Sequence, residues 1–321
     1  MNADPSLAGG EAEAGRGFRH AVLPYADDDE YLGALVPFIA DGVRAGEPVM
    51  VAVPEPRAEL ISEHLGEAAG AVEIVDMAEI GRNPGRIIPA WQAFVDGHPA
   101  RAVRGVGEPA WEGRSEAELE ECQRHEQLLA LAFTDVHDFN LVCPYDANRL
   151  PPAVVDRVCR SHPERADARG TSPCEAYEPP DRGPSPLAGR LPPPPPEAEQ
   201  LEFGSDRDLR RVRALVTACA RRAGLARDRC ADLALAASEL ATNSLRHGGG
   251  HGRLWAWTEE GAIVCELADR GSIKDPLAGR RVPSPIQERG WGLYLVHLLC
   301  DLVEVRSGEV GTRIRIRMIA G

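Results

Sequence analysis

The stretch Ser238-Glu239-Leu240-Ala241-Thr242-Asn243-Ser244-Leu245-Arg246-His247-Gly248 decides how the C-terminal part of this chain folds. Apolar or small residues at Cys230, Leu233, Ala234, Ala237, Leu240, Ala241, Ser244 and Leu245 recur at helical spacing and make one buried stripe. Glu239, Asn243 and His247 stand at i, i+4 and i+8, so they form a second stripe beside the first. The run Gly248-Gly249-Gly250 ends the helix. A carboxylate and a carboxamide one turn apart, at the rim of a buried face, can hold a hydrated magnesium ion. A plain amphipathic helix with a solvated polar edge fits the same spacing.

The sequence that follows adds three more pieces. Asp269-Arg270-Gly271 comes directly after the apolar run Ala262 to Ala268, and an Asp at a strand end suits recognition of a base's exocyclic amine. After a loop from Ser272 to Arg289, Gly290-Trp291-Gly292-Leu293 opens another helix. Glycines at a helix N-terminus let backbone N–H groups approach phosphates, and the helix dipole favours the anion. Gly311-Thr312 leads into the last strand.

In this order the motifs resemble the GHKL ATPase fold of histidine kinases and gyrase, over about residues 201–321. Within it they are most similar to the RsbW/SpoIIAB branch, anti-sigma factors that are also serine kinases. The resemblance implies ATP and Mg²⁺ as cofactors. It implies that Asn243 holds Mg²⁺ and that Glu239 is the general base. Asp269 would accept from the adenine amine, and Gly271 would let the chain pass close to the base. Gly290 and Gly292 would cradle the phosphates, with Leu293 beside them and Arg289 supplying charge. Thr312 would support the adenine end, and His247 would fix the helix end or reach the phosphates. Ile273 departs from the pattern, standing where the family carries a second glycine. The implied partners are a STAS-type anti-sigma-factor antagonist and a sigma factor, and a homodimer is compatible. Two other readings stay open: a nucleotide-gated binding module without phosphotransfer, and a histidine kinase acting in trans.

Residues 18–170 alternate strand and helix. Strands are expected at His20–Tyr25, Pro48–Val53, Val72–Asp76, Arg101–Glu108 and Phe139–Tyr145. Helices are expected at Asp29–Arg44, Arg57–Leu65, Pro84–Val95, Ser115–Phe133 and Pro151–Cys159, the fourth opened by a Ser115/Glu118 capping box. Such alternation predicts a parallel sheet covered on both faces, a three-layer α/β domain. Neither a Gly-x-x-x-x-Gly-Lys-Ser/Thr loop nor a dinucleotide fingerprint is present, so a second nucleotide hydrolase is disfavoured. The pieces His20 with Leu23-Pro24-Tyr25, Phe38 to Gly42, Gly107-Glu108-Pro109 with Trp111, Glu126, Cys143 to Asp146, and His162-Pro163 resemble the MEDS sensory domain. That resemblance implies sensing of a small-molecule or protein signal, with His20, Tyr25, Glu108, Trp111, Glu126 and Tyr145 as pocket candidates. Glu108, Trp111 and Tyr145 are expected just after strand ends, where open α/β sheets bind ligands. His125-Glu126 lacks the basic residue and proline that follow a phosphoaccepting histidine, so His125 reads as a surface residue.

Residues 1–17 are Gly-, Ala- and Glu-rich and expected to be disordered. Residues 171–200, ending in Pro192 to Pro196, read as an extended linker that holds the domains apart. In 201–321, helices at Asp206–Ala223, Asp228–His247 and Gly290–Cys300 and strands at Gly252–Thr258, Ala262–Asp269, Leu302–Arg306 and Val310–Ile319 predict a two-layer α/β sandwich. Arg313, Arg315 and Arg317 alternate with apolar residues, which predicts one wet sheet face. At 321 residues and 43% hydrophobic content, two domains are expected. A net charge of −14 argues against direct nucleic-acid or anionic-membrane binding. No bilayer-length apolar run or signal-peptide core is present, so the expected location is the cytoplasm. Eight scattered cysteines read as reduced core thiols rather than disulfides or zinc ligands.

Overall fold

A computed structural model describes residues 17–136, 138–259, 261–284 and 290–320. The disorder expected for the N-terminus therefore falls, apart from Gly17, outside the described residues. The first unit runs β1 (Phe18–Tyr25), α1 (Asp28–Arg44), β2 (Val49–Val53), α2 (Glu55–Leu65), β3 (Val72–Asp76), α3 (Met77–Ile80), α4 (Ile87–Asp96), β4 (Val103–Gly107), α5 (Glu116–Ala132), β5 (Phe139–Asp146), α6 (Pro152–Ser161), β6 (Glu164–Asp167) and β7 (Gly170–Pro173). Its sheet order is β3-β2-β4-β5-β1-β6-β7, parallel except for the β6–β7 hairpin at one edge. The apolar runs of β2 and β5 are buried throughout because helices cover both faces. Tyr31, Leu35 and Ile39 of α1 and Ile61 of α2 fill one side; Trp91 of α4 and Leu128 and Leu129 of α5 fill the other. Ser115 caps α5 with the expected reciprocal bonds to Glu118. Pro84 begins a short 3₁₀ turn ahead of α4 rather than α4 itself.

The second unit runs β8 (Glu199–Phe203), α7 (Leu209–Arg222), α8 (Arg227–His247), β9 (Gly252–Glu259), β10 (Ala262–Asp269), α9 (Trp291–Leu299), β11 (Leu302–Gly308) and β12 (Gly311–Ile319). Its sheet is antiparallel, in the order β11-β12-β10-β9-β8. The three helices lie on one face and share a core with it. The apolar stripe of α8 is the spine of that core: Cys230, Leu233, Ala237, Leu240, Ala241 and Ser244 are all buried. Truncating Leu233 or Leu240 to Ala would cost about 2–5 kcal/mol. Among the described residues no helix is long and apolar enough to cross a membrane.

Three expectations about the space between the units fail. The Pro-rich segment does not hold them apart. Thr171 to Pro173 belong to β7, Glu199 and Gln200 begin β8, and Leu187 is buried in the second core. The far face of the second sheet is not wet, because Arg315 is buried, paired with Glu266 at 2.6 Å and donating to Pro192 O at 2.6 Å. His125 is not a surface residue either. It is 1% exposed, and burial pushes its imidazole down to about 3.

The units meet along α5 and the turn before α4. Glu121 of α5 is 1% exposed and accepts from Arg280 Nη2 and from Arg306 Nη1, each at 2.7 Å. Asn83 Nδ2 donates to the carbonyls of His297 and Cys300, at 2.9 and 3.3 Å, and so caps the C-terminal end of α9. Arg82 pairs with Asp301 at 3.0 Å. Leu277, in the loop ahead of α9, is buried in the core of the first unit. A fixed, side-chain-specific contact thus replaces the tether expected from the proline content.

Candidate functional site

The loop from Ser272 onward, α8 and the start of α9 enclose a cavity of about 690 Å³. Asn243, His247, Asp269, Gly271, Gly290, Gly292, Leu293 and Thr312 line it together, brought from four separate stretches of sequence. Glu239 lies at its edge. A Cβ built on Gly292 would sit 2.9 Å from Glu239 Oε2 and 3.5 Å from Asn243 Nδ2. The helix start of α9 therefore abuts both polar side chains of α8, and a side chain at position 292 would displace the Glu239 carboxylate. Gly290, the N-cap of α9, has φ +101°, a left-handed conformation that also favours glycine. Neither Glu239 nor Asn243 is engaged by a side-chain hydrogen bond among the described residues. Arg289 lies outside the described residues.

Asp269, at the end of β10, is fixed by two donors. Ser244 Oγ donates to Oδ2 at 2.6 Å and Gly271 N to Oδ1 at 2.7 Å. Each carboxylate oxygen keeps a lone pair for a further donor. Ser244 was missed in the sequence because a serine on an apolar stripe reads as a small core residue. Register places Thr312 opposite Asp269, and its hydroxyl donates to Gly271 O at 2.9 Å while sharing a bond with Ser307 Oγ. A Cβ at Gly271 would meet His247 O at 2.6 Å, so the chain there also passes close to the end of α8. Ile273, in the second glycine's place, packs against the core and donates its N–H to Ser307 Oγ at 2.8 Å. The loop is thus hinged to β11 at that point and leaves the cavity through Leu277 and Arg280 to reach α5.

The six sensory candidates do not form one pocket. Period-two alternation along β1 sends His20 to the α5 face and Tyr25 to the α1 face. On the α1 face Tyr25 and Tyr31 donate to the two oxygens of Glu108, at 2.8 and 3.2 Å, and the Arg57 guanidinium lies over both rings. Burial pushes the Glu108 carboxyl up to about 7 against those hydrogen bonds. On the α5 face His20, Glu126 and Tyr145 converge, joined by Cys143 and His162. Burial opposes charge on Glu126, yet His162 and His20 hold its carboxyl well below the usual range. Burial also lowers His20 to about 4. Trp111 joins neither group; its ring is covered by the Arg114 guanidinium at 3.5 Å. Tyr145 lies inside β5 rather than after its end.

Two parts of the chain match known families. Residues 19–163 match the family described as MEDS, the methanogen/methylotroph DcmR sensory domain. Residues 204–318 match the histidine kinase-like ATPase domain. No curated protein matches the chain. Among solved structures, the RsbU and RsbW domains of Rv1364c from Mycobacterium tuberculosis align at 20% identity and TM-score 0.29. That alignment covers 38% of this chain and 32% of the other, so this chain spans about a third of its length.

Proposed function

Because the chain joins a MEDS domain to a histidine kinase-like, ATP-binding domain, we propose that it is a regulatory protein kinase under sensory control. In this reading it is an anti-sigma factor that phosphorylates a serine of a STAS-type antagonist and otherwise sequesters a sigma factor. It works in the cytoplasm, and the MEDS unit, 18–170, receives the signal. The observation that carries the reading is the meeting of Glu239 and Asn243 at Gly292. A site that only bound nucleotide would need the carboxamide but not a free carboxylate beside the phosphate-binding helix.

The geometry supports the roles that the resemblance implies. Asn243 would hold Mg²⁺, the backbone N–H groups at Gly290 and Gly292 would face the phosphates, and Asp269 would hold the base. Held by Asn243, the ion would supply positive charge against the phosphates. Glu239 would take the proton from an attacking hydroxyl. Transfer to serine is favoured over self-phosphorylation on histidine by two facts. His125 is buried, and residues 203–229, leading into the ATPase, contain no histidine. The link to the sensor is the loop over the cavity, which Glu121 and the first core hold through Arg280 and Leu277.

The test is incubation of the full chain with γ-labelled ATP, Mg²⁺ and candidate STAS-domain proteins. Acid-stable label on the partner is expected. Acid-labile label would replace the serine assignment with histidine transfer in trans. ATP-dependent co-purification without label would reduce the protein to a nucleotide-gated binding module.

A further inference from the structure

We propose that His20, Glu126, Cys143 and His162 form a buried mononuclear site for a divalent transition metal of the zinc type. The four come from β1, α5, β5 and the end of α6, and their ligand atoms all lie within 4.8 Å of one another. Nε2 of His20 is 3.0 Å from Glu126 Oε2 and 3.3 Å from Cys143 Sγ. His162 Nε2 is 3.4 Å and Cys143 Sγ 3.7 Å from the same carboxylate oxygen. Metal bonds of about 2.0–2.3 Å put the ligand atoms of a tetrahedral zinc site roughly 3.3–3.7 Å apart. These four spacings, of the six that four ligands make, fall within about 0.3 Å of that range.

The surrounding hydrogen bonds point the same way. Nδ1 of His162 is 2.8 Å from Val158 O, an atom that can only accept, so Nδ1 carries the proton. Nε2 is thereby aimed at the Glu126 carboxylate, 3.4 Å away, with no hydrogen-bond partner in a fully buried place. A cation between them would give both atoms a partner. Tyr145 donates to Glu126 Oε1 at 2.9 Å and so reserves Oε2 for the metal, as outer-shell partners of metal ligands do. His20 is held by the ring of Phe18, stacked at 5.5 Å. Charge also balances. A dication bound by one thiolate, one carboxylate and two neutral imidazoles is neutral overall, which suits a dry interior. On binding, the Cys143 thiol proton leaves to solvent as the sulfur–metal bond forms. Glu126 lies on α5, the helix whose Glu121 holds the loop over the ATPase cavity, so the metal pins the element that carries the contact.

The test uses the full chain. Purified under reducing conditions, the wild type should contain about one zinc per chain by elemental analysis. After chelator treatment it should take up Co²⁺ with tetrahedral d–d bands and a thiolate-to-cobalt charge-transfer band, both erased by added Zn²⁺. The near-isosteric Cys143→Ser should lose the charge-transfer band. Tyr145→Phe should bind Zn²⁺ about 10–100-fold more weakly in competition with a chromophoric chelator. The wild-type spectrum needs no variant to fold. A wild type that binds neither metal, a cobalt complex without a thiolate band, or a Cys143→Ser protein that keeps the band would overturn the assignment.

Discussion

Glu121→Gln tests how the sensor grips the ATPase. The substitution keeps the shape of the side chain and removes its charge. Arg280 is 2% exposed and Glu121 is its one charged partner among the described residues; Arg306 keeps a second, Glu120, at 3.1 Å. One buried cation is orphaned and another half-supported. Breaking a buried ion pair by removing one partner costs about 3–5 kcal/mol. That is roughly a thousandfold in the equilibrium between docked and released loop, at ~1.4 kcal/mol per factor of ten. The cost falls on the contact between the loop and α5, so the loop should open before either core melts. Hydrogen exchange of amides 274–284 reads the release directly. The expected result is a loss of protection at Leu277 to Arg281 by at least tenfold, with far-UV circular dichroism unchanged. Unchanged exchange in a folded variant would mean that the ion pair does not hold the loop and that coupling through α5 is wrong.

Glu239→Gln should leave ATP binding near the wild-type level while transfer to a partner falls by about 10²–10⁴-fold, measured in the same labelled-ATP assay. Glu108 should make folding stability fall with rising pH. Its folded pKa, raised to about 7, exceeds the ordinary 4.5, so the folded chain holds a proton that the unfolded chain has lost. The contribution is fully present below about pH 4.5 and is lost as pH rises through 7; at ~1.4 kcal/mol per pKa unit it amounts to roughly 3 kcal/mol. Urea melts at pH 5 and pH 8 should show a smaller drop in Glu108→Gln than in wild type, and equal drops would refute the assignment. A fragment of residues 201–321 should melt well below one of residues 184–321. It lacks Leu187 from the core and the first residues of β8, and equal melting temperatures would show that the Pro-rich segment contributes nothing.

Much of the second unit could be read from local pattern. The buried stripe of α8, the glycines around α9 and the Asp269-Arg270-Gly271 turn at the end of β10 are short-range features, and each motif maps onto one element or its end. Ser115 and Glu118 announced the start of α5 for the same reason. Other parts left no local trace. The short edge strands β6 and β7 are mostly exposed, so they carry no apolar alternation. Glu121 and His125 look like the solvent face of an amphipathic helix, because nothing in α5 itself says that a second unit will cover that face. Arg313, Arg315 and Arg317 misled in the same way, since the partner that buries Arg315 is a proline run far away in sequence. The His20, Glu126, Cys143 and His162 cluster is assembled by parallel strand pairing between β1 and β5, which no spacing along the chain could disclose.

The most direct measurement of the central claim is a calorimetric titration of the full chain with ATP, with and without Mg²⁺, beside Asn243→Ala. The account predicts one ATP per chain, binding that depends on the divalent ion, and its loss in Asn243→Ala, a variant expected to stay folded because Asn243 is half-buried at the cavity wall and outside the core. Unchanged ATP affinity in Asn243→Ala would contradict the metal assignment. No binding by the wild type would contradict the reading of the cavity as an ATP site.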